Sequence, residues 1–311
     1  MGLGALDLNL LLPLNALLEY QNVSRAAEHL TMSQPATSQA LARLRRHFDD
    51  ELLVRVGREY QLTPLAQVLR PQVAAALHQV TATLDIRARF DARSSDRTFV
   101  VSASDYARAL LAAPVRRLLL AEAPCVSICF AAMPVDYQFE NHLLAHDLVI
   151  GPLGHSLPGH TDLLWRDDFV AVLDPGNPAA VDGRLSLEAL AGLPHAVGVF
   201  GENIQTPADR LIDELGVRRR VVVTVPGFLS LAFMVQGTDV VALVPRRLAS
   251  HPAIARSVAI AEIPDSHRTT MTEAIHCRTS RREDPALQWL RGALVRAART
   301  LDDVESALLT L

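Results

Sequence analysis

The sequence predicts an α/β protein in which a small helical domain precedes a larger module, and three observations support this. Helical periodicity dominates residues 8–48 and returns from 64 to about 90, on either side of a short extended hairpin at 52–63. From Arg97 onward, nine strand-like runs alternate with helical stretches, as in α/β packing around mainly parallel sheets. The chain has 311 residues, 50% of them hydrophobic, which is enough for two or three packed domains. The nine runs are RTFVVSA, VSICFAA, HDLVIGP, FVAVLD, HAVGVFG, RVVVTV, DVVALVP, VAIAEI and MTEAIHC.

Composition narrows the class of protein. Three cysteines in so long a chain argue against a disulfide framework and fit a reducing compartment. No apolar run approaches the roughly 18 residues that span a bilayer, and the N-terminal stretch lacks the basic region and cleavage site of a signal peptide. We therefore expect a cytoplasmic protein that does not enter the membrane. The net charge of −4 does not by itself suggest nucleic acid, so a DNA-binding role has to rest on local charge.

Residues 24–48 contain two short helical patterns separated by a polar turn. Ser24 is the predicted N-cap of the first helix. Ser33 is the predicted N-cap of the second, with Pro35 in the first turn, where a missing N–H costs nothing. Ala27 and Ala36 supply the small side chains that two closely crossing helices need. Spacing alone fits either an ordinary helical hairpin or a helix-turn-helix that reads DNA.

The second helix has two unlike faces on a helical wheel. The apolar face comprises Ala36, Ala40, Leu41, Leu44 and Phe48. The opposite face comprises Pro35, Ser38, Gln39, Ala42, Arg45 and Arg46. A helix in the major groove needs short polar side chains near its N-terminus to reach base edges, and arginines near its end to contact phosphates. Between Ser24 and Arg46, four arginines and one glutamate give a local net charge of +3.

A predicted hairpin, LLVRVGREYQLTP, follows directly and has the form of a wing beside a recognition helix. Arg55 on its first strand and Arg58 at its tip are placed to meet the phosphate backbone. Asp49, Asp50 and Glu51 immediately precede the hairpin. The positive charge available for DNA binding is therefore small and confined to this part of the chain.

Two segments carry a family resemblance that covers the whole chain. They are AAEHLTMSQPATSQALARLRRHFDDELLVRVGREYQLTPLA and, further on, SDRTFVVSASD at residues 95–105. Together they resemble the LysR-type transcriptional regulators, nearest to the branch of nodulation and aromatic-degradation regulators. The resemblance implies an effector-responsive DNA-binding protein that is not an enzyme. It implies that Gln34, Pro35, Ser38 and Gln39 read bases and that Arg55 and Arg58 hold the DNA backbone.

Two residues depart from the family pattern. Pro13 lies inside the first predicted helix, so that helix is expected to be kinked or to start late. Gln39 stands where many relatives have arginine, so the operator sequence cannot be carried over from them.

The long helix carries a narrow apolar seam. Its members are Leu69, Val73, Leu77, Val80 and Leu84, at spacings of 4, 4, 3 and 4. One interpretation is a helix packed on its own domain, and the other is a dimerisation helix, which the resemblance also implies. A dimer doubles the local positive charge and matches a palindromic site. We expect a homodimer through this helix, kinked near Pro71, and by resemblance a homotetramer built as a dimer of dimers, with RNA polymerase as a further partner.

The predicted domains are a winged helix-turn-helix at 1–63, a linker and dimerisation helix at 64–92 and an effector-binding domain at 93–311. The resemblance implies that this last domain folds like a periplasmic binding protein, with two α/β subdomains around an effector cleft. Subdomain I would comprise 93–168 and 269–311, and subdomain II would comprise 169–268.

The predicted cleft combines apolar surface with few polar groups, which suits a small aromatic or otherwise apolar acid. Ser102 and Ser104 lie where the first strand ends and a helix begins, and free N–H groups at such a helix end favour an anion. Capping of the helix alone explains these serines equally well. The predicted effector-binding residues are Ser102, Ser104, Tyr106, Met133, Gly151, Phe200, Gly201, Phe228 and Pro245.

Other constellations are weaker. His142 and His146 have the spacing of two metal ligands on a helix, but a third ligand is missing, so no metal or other cofactor is expected. Cys125 and Cys129 are too far apart on one strand for a disulfide and are predicted to be small buried hydrophobic residues. Paired catalytic carboxylates, a nucleophile elbow and a glycine-rich phosphate loop are all missing. The rival functions are an α/β enzyme or binding protein with a helical appendage, and a regulator without a ligand.

Overall fold

The computed structural model describes residues 7–56, 59–84, 90–133, 143–154, 159–200 and 205–308. The chain packs as two separate units, Met1–Ile86 and Arg87–Leu311. The long helix after the hairpin lies within the first of these units. The described part of the chain contains no helix long and apolar enough to cross a membrane.

The N-terminal unit is a helix-turn-helix followed by a two-stranded wing. Its elements are α1 (Leu11–Tyr20), α2 (Val23–His29), α3 (Gln34–Phe48), β1 (Leu53–Val56), β2 (Glu59–Leu62) and α4 (Pro64–Leu84). β1 and β2 pair in antiparallel register, with Leu53 opposite Leu62. Leucines from α1 and α3, among them Leu14, Leu17 and Leu44, are almost fully buried and form its core.

Caps and prolines decide where these helices begin. α1 starts late, as expected, because a 3₁₀ turn over Leu8–Leu10 precedes it and places Pro13 in its first turn. Ser33 caps α3 as predicted, with its Oγ accepting from the Ala36 N–H at 3.3 Å. The predicted cap of α2 is wrong. Asn22 is the cap instead, since its side chain accepts from the N–H groups of Ser24 and Arg25.

The apolar seam of α4 faces its own unit over its first half. Val73 is buried in the core of the N-terminal unit, and Leu69 and Leu77 pack against that core. Val80 is half exposed, and Val68, on another side of the helix, is 65% exposed. The seam therefore packs against its own unit as far as Leu77 and is half exposed at Val80.

The second unit contains two five-stranded sheets flanked by helices. Its strands are β3 (Thr98–Ala103), β4 (Ser127–Ala132), β5 (Leu148–Pro152), β6 (His160–Asp167), β7 (Phe169–Leu173), β8 (Pro194–Val199), β9 (Arg220–Pro226), β10 (Val241–Pro245), β11 (Ala259–Ala261) and β12 (Met271–Cys277). Its helices are α5 (Asp105–Glu122), α6 (Leu187–Gly192), α7 (Pro207–Glu214), α8 (Leu231–Met234), α9 (Arg246–Ala249) and α10 (Pro285–Leu308). All nine predicted strands are present. β6 was not predicted, because HTDLLWRD mixes polar and apolar residues without strict alternation.

The sheets are mixed, so the prediction of mainly parallel sheets is wrong. The first sheet has the order β4-β3-β5-β12-β6 and the second has the order β11-β7-β10-β8-β9. β12 runs antiparallel to both of its neighbours, and so does β7. Each of these two strands follows a crossing of the chain from one sheet to the other, which reverses its direction.

Polar contacts hold the crossing segments in place. The chain leaves the first sheet between Asp167 and Phe169, and the Phe169 N–H donates to Thr269 Oγ1 on the returning segment at 2.9 Å. Arg246 binds Asp168 through two nitrogens and also contacts Glu262 at 2.7 Å. Such bidentate arginine contacts fix geometry as well as charge.

The SDRTFVVSASD segment has a structural role in this unit. The Arg97 guanidinium contacts Asp147 at 3.0 Å, and Arg281 contacts the same carboxylate at 2.9 Å. The Asp147 side chain is only 1% exposed, and it also accepts from the Val100 N–H at 2.9 Å. Phe99 is fully buried. The segment therefore ties β3 to the rest of its sheet.

The cysteine prediction is wrong in part. Cys125 precedes β4 and Cys129 lies on it, and both are exposed, because β4 is an edge strand of its sheet. Cys277 is buried. His142 lies outside the described residues, and within the described ranges no three metal-ligating side chains are grouped.

Candidate DNA-binding surface and effector cleft

The N-terminal half of α3 presents a small polar surface to solvent. Gln34, Pro35, Ser38 and Gln39 are all exposed. Thr37, between them, is fully buried, and its hydroxyl donates to the Ser33 carbonyl at 3.2 Å. The helix therefore turns one polar residue inward and leaves the four predicted base-reading residues outward. Their role in reading bases stays a prediction.

Arg45 has a structural role that the sequence did not reveal. Its Nε donates to the Glu51 carbonyl at 2.8 Å, and its Nη2 donates to the Leu53 carbonyl at 3.0 Å. The same nitrogen lies 3.0 Å from the Glu51 carboxylate. These contacts tie α3 to the start of the wing. Contact between Arg45 and a DNA phosphate would compete with these hydrogen bonds.

The acids before the wing also hold it in place. Asp50 Oδ1 accepts from the Leu52 N–H and from the Thr63 hydroxyl, both at 2.6 Å, so it joins the two ends of the hairpin. Arg46 and Arg55 are exposed. Arg58, predicted at the wing tip, lies outside the described residues. Of the arginines predicted to contact DNA, Arg46 and Arg55 are therefore the described ones whose side chains are exposed.

A cavity of about 650 Å³ opens between the two sheets of the second unit, which is the size of a small-molecule site. Its apolar lining includes Met133, Leu153, Val199, Phe200, Pro226 and Phe228. Its polar lining includes Ser104, Asp105, Arg108, Gln205, Thr206, Arg210, Thr270, Thr272 and Glu273. The ring centroids of Phe200 and Phe228 are 4.4 Å apart, so they form one aromatic surface.

The structure separates the predicted effector-binding residues into two groups. Ser104, Met133, Phe200 and Phe228 line the cavity. The others do not. Ser102, Tyr106, Gly151 and Pro245 are buried away from its lining, and Gly201 lies outside the described residues.

Ser102 is fully buried, and its hydroxyl donates to the Ala132 carbonyl at 3.1 Å. Ser102 lies inside β3, paired with Ala131 of β4 and Val149 of β5, whereas Ser104 lies just beyond the end of the strand.

The predicted anion site at the start of α5 is already occupied by a carboxylate of the chain. Ser104 caps the helix, with its Oγ accepting from the Ala107 N–H at 3.1 Å. The Asp105 carboxylate accepts from the N–H groups of Phe228 and Leu229 at 3.1 and 2.7 Å. Asp105 belongs to the first subdomain and its partners to the second. This carboxylate therefore joins the two walls of the cleft, and the helix end is not free for a ligand anion.

A glycine makes that contact possible. Gly227 has φ +94°, and a Cβ at this position would lie 2.3 Å from an Asp105 carboxylate oxygen. Only glycine combines this backbone conformation with the close approach.

The expectation of few polar groups in the cleft is wrong. Arg108 and Arg210 line it from opposite walls, each four residues after the residue that caps its helix. The Arg108 Nε donates to the Ser104 carbonyl at 3.3 Å, and the Arg210 Nη1 donates to the Gln205 carbonyl at 3.1 Å. A residue four positions after a cap lies on the cap's own face of the helix, which is the signal in the sequence that points to these arginines.

A buried acidic cluster adjoins the cavity. Tyr106 donates from its hydroxyl to Asp167, and Trp165 Nε1 donates to the Tyr106 oxygen at 2.8 Å. Burial raises the pKa of Asp167 to about 6, against the lowering effect of its hydrogen bonds. Burial, together with the charge of Asp167, raises the pKa of Glu273 to about 8. Tyr106, predicted to contact the effector, instead positions this cluster.

The fold and the two sites define a class of protein. A winged helix-turn-helix with a polar outer face on its second helix, in one chain with two α/β subdomains around a cleft, is the architecture of an effector-responsive DNA-binding regulator. A model of the LysR substrate binding domain matches residues 92–299, and one of the bacterial regulatory helix-turn-helix protein, lysR family, matches residues 8–67. The chain belongs to the LysR family of transcriptional regulators, which confirms the predicted family.

Individual relatives agree with this assignment. The chain is 34% identical over 300 residues to nodulation protein D 1 of Sinorhizobium fredii, covering 96% of this chain and 92% of that protein. A crystal structure of a probable transcriptional regulator from Pseudomonas aeruginosa has a TM-score of 0.69 and 32% identity, covering 94% of this chain and 97% of the other. Full-length CbnR, solved with its target DNA, shares the fold at a TM-score of 0.66 and 19% identity, covering 95% of this chain and all of that one.

Proposed function

We propose that this regulator reads operator DNA through Gln34, Pro35, Ser38 and Gln39, and that a small aromatic acid in the cleft changes its binding to that DNA. The exposed, short, polar N-terminal face of α3 carries this proposal. Side chains of this size reach base edges when a helix enters the major groove. Arg46 and Arg55 contact phosphates beside this face, together with Arg58.

The cleft supports an aromatic effector with an acidic group. Phe200 and Phe228 offer a ring surface, and Met133 adds a polarisable side chain beside it. Arg108 and Arg210 supply positive charge, which replaces the helix end as the partner of a carboxylate. A cavity of about 650 Å³ accommodates a compound of this kind.

Assembly through α4 completes the proposal. Each DNA-reading unit carries few arginines, so one unit alone has weak electrostatic affinity. A dimer brings two reading helices to two half-sites. Two such dimers form the proposed tetramer, and RNA polymerase is the proposed partner at the promoter. The effector acts by linkage. A ligand that binds one cleft geometry more tightly than another raises the population of the assembly whose clefts have that geometry.

DNA binding by the full-length chain tests the reading face. Selection from a random duplex library identifies the preferred site, and affinities are then measured for that site and for an unrelated duplex. We expect Ser38→Ala and Gln39→Ala each to cost roughly 1 to 3 kcal/mol on the selected site only. Arg55→Ala should weaken both duplexes alike and reduce the salt dependence. An equal loss on both duplexes for Ser38→Ala would show that α3 does not read bases through this face.

A further inference from the structure

We propose that Glu273 is a specificity-determining residue of the effector cleft, where its carboxyl group donates an O–H hydrogen bond to an uncharged acceptor oxygen on the effector. This inference rests on the proposed effector site and names the chemical group of the effector that one wall of the cleft recognises. The acceptor is a carbonyl or hydroxyl oxygen on a ring system whose acidic end contacts the cleft arginines.

The position of Glu273 carries the inference. It lies on β12 between Pro152 of β5 and Trp165 of β6, and it lines the cavity although it is only 2% exposed. Its Oε2 has no hydrogen-bond partner within the described part of the chain. A buried polar atom without a partner costs roughly 1 to 3 kcal/mol. Such an atom at the edge of a cavity is satisfied once a ligand supplies the missing partner.

The strand pairing beside Glu273 is irregular. The register between β12 and β6 shifts between Glu273 and Ala274. The extra residue is Leu164 of β6, which lies between the paired residues Trp165 and Leu163. Irregularities of this kind occur preferentially beside binding sites. On the other side of β12 the pairing with β5 is regular, with Ala274 opposite Gly151.

The surroundings of Glu273 determine which form of the carboxyl is present. Asp167 faces it from β6 and Tyr106 from α5, while Asp105, Arg108 and Arg210 share the cavity. Burial and the nearby Asp167 charge raise the pKa of Glu273 to about 8. At neutral pH the group is therefore mostly protonated, and a protonated carboxyl is a hydrogen-bond donor.

A donor in this place selects among similar ligands. A site built to bond a polar group on its ligand discriminates strongly against an analogue that lacks the group, because the buried donor is then left unpaired. An ammonium ligand would have the opposite dependence on pH, since it needs the ionised carboxylate. The predicted preference is therefore for a neutral oxygen acceptor and declines as Glu273 ionises.

Two probes of nearly equal shape test this preference on the full-length protein. 4-Acetylbenzoate carries a ketone oxygen where 4-isopropenylbenzoate carries a methylene group, and both carry the same carboxylate. We expect calorimetry at pH 6.5 to show the ketone bound roughly tenfold more tightly. Glu273→Gln retains an N–H donor and should keep most of this preference, whereas Glu273→Met should remove it. In the wild-type chain the preference should diminish by pH 9.

The outcomes separate this inference from the proposed function. If both probes bind the wild-type chain with equal affinity, the effector site stands and the role of Glu273 is overturned. The same follows if Glu273→Met keeps the wild-type preference, or if the preference grows with pH. If neither probe binds, the proposed effector class is wrong, and infrared spectroscopy then decides on Glu273 alone. The wild-type spectrum at pH 7 should contain a protonated carboxyl band that Glu273→Gln lacks, and identical spectra overturn the inference.

Discussion

At the scale of single residues, Asp105 shows how one side chain organises the cleft. The family-like SDRTFVVSASD segment ends in this aspartate, which does not bind a ligand anion but substitutes for one at the start of α5. Its carboxylate accepts two backbone N–H groups of the opposite subdomain, and charged acceptors of this kind form the stronger class of hydrogen bond. The separation of the two cleft walls is therefore set in part by a single carboxylate.

Substitution of Gly227 tests this contact. Gly227→Ala adds a Cβ that would lie 2.3 Å from the Asp105 carboxylate, so the two walls must separate or the contact must break. Gly216→Ala is the matched control, because Gly216 also has a positive φ, of +71°, but an added Cβ meets nothing within 4 Å. Both variants carry a backbone penalty of about 1 kcal/mol. We expect Gly227→Ala to lower the free energy of unfolding by roughly 1 to 3 kcal/mol more than the control.

Urea unfolding monitored by tryptophan fluorescence measures this difference. The chain has two tryptophans, Trp165 and Trp289, and both lie in the second unit, so the signal reports on the unit that contains the cleft. If the two alanine variants lose the same free energy of unfolding, the Asp105 contact contributes nothing to the stability of the second unit.

At the scale of elements, α4 bears on two interpretations that the sequence pattern leaves open. Leu69, Val73 and Leu77 pack against the core of the N-terminal unit, which supports the interpretation of a helix packed on its own domain. Val80, further along the same seam, is half exposed, and an exposed apolar residue on this face suits a partner helix. A charge at Leu77 would destabilise the N-terminal unit, because Leu77 packs against its core. A test of dimerisation therefore needs a position outside that core.

Val80→Arg is the sharper test of the proposed dimer. We expect this variant to sediment as a monomer and to lose operator affinity strongly, because a charge at a helix interface is not compensated and a monomer contacts one half-site. Thr81→Arg, one position further along the same helix on an exposed side chain, adds the same charge as a control. A Val80→Arg protein that remains dimeric and binds DNA normally would place the interface elsewhere.

At the scale of the whole molecule, the second unit has several titratable side chains where the chain crosses between its sheets. Asp167 is the last residue of β6, at the crossing. The next residue, Asp168, forms an ion pair with Arg246. Glu273 lies on the strand that follows the return crossing. Both crossings therefore lie close to a carboxyl group whose pKa is raised by burial.

This placement predicts the dependence of stability on pH. The pKa values of Asp167 and Glu273 are raised to about 6 and about 8, so the folded state holds their protons more tightly than the unfolded chain does. The resulting stabilisation is fully present below about pH 4 and is lost as the pH rises through the folded values, up to about pH 8. His195 acts in the opposite direction, because burial lowers its pKa.

Comparison with Glu273→Gln isolates the contribution of Glu273. The wild-type free energy of unfolding minus that of the variant should fall by roughly a few kcal/mol between pH 5 and pH 8. Urea unfolding at four pH values, monitored by tryptophan fluorescence, gives both curves. A difference that stays constant over this range would show that Glu273 has an ordinary pKa in the folded protein.

The sequence by itself determined the family, the order of elements and most of the local structure. Ser33 and Ser104 cap their helices because a cap needs only a short side chain and the following turn. The inward and outward faces of α3 follow from its 3.6-residue period, and the nine apolar strands follow from their composition. All these features depend on neighbours within a few positions along the chain.

Only the tertiary structure decided how the cleft is built. Asp105 meets Phe228 and Leu229, which lie 123 and 124 residues further along the chain. Glu273 has its environment set by β5 and β6, and no pattern within MTEAIHC shows that its carboxyl is left unpartnered at the cavity. The physical reason is that periodicity encodes which face of an element is buried, whereas sheet order decides which distant residue shares that burial.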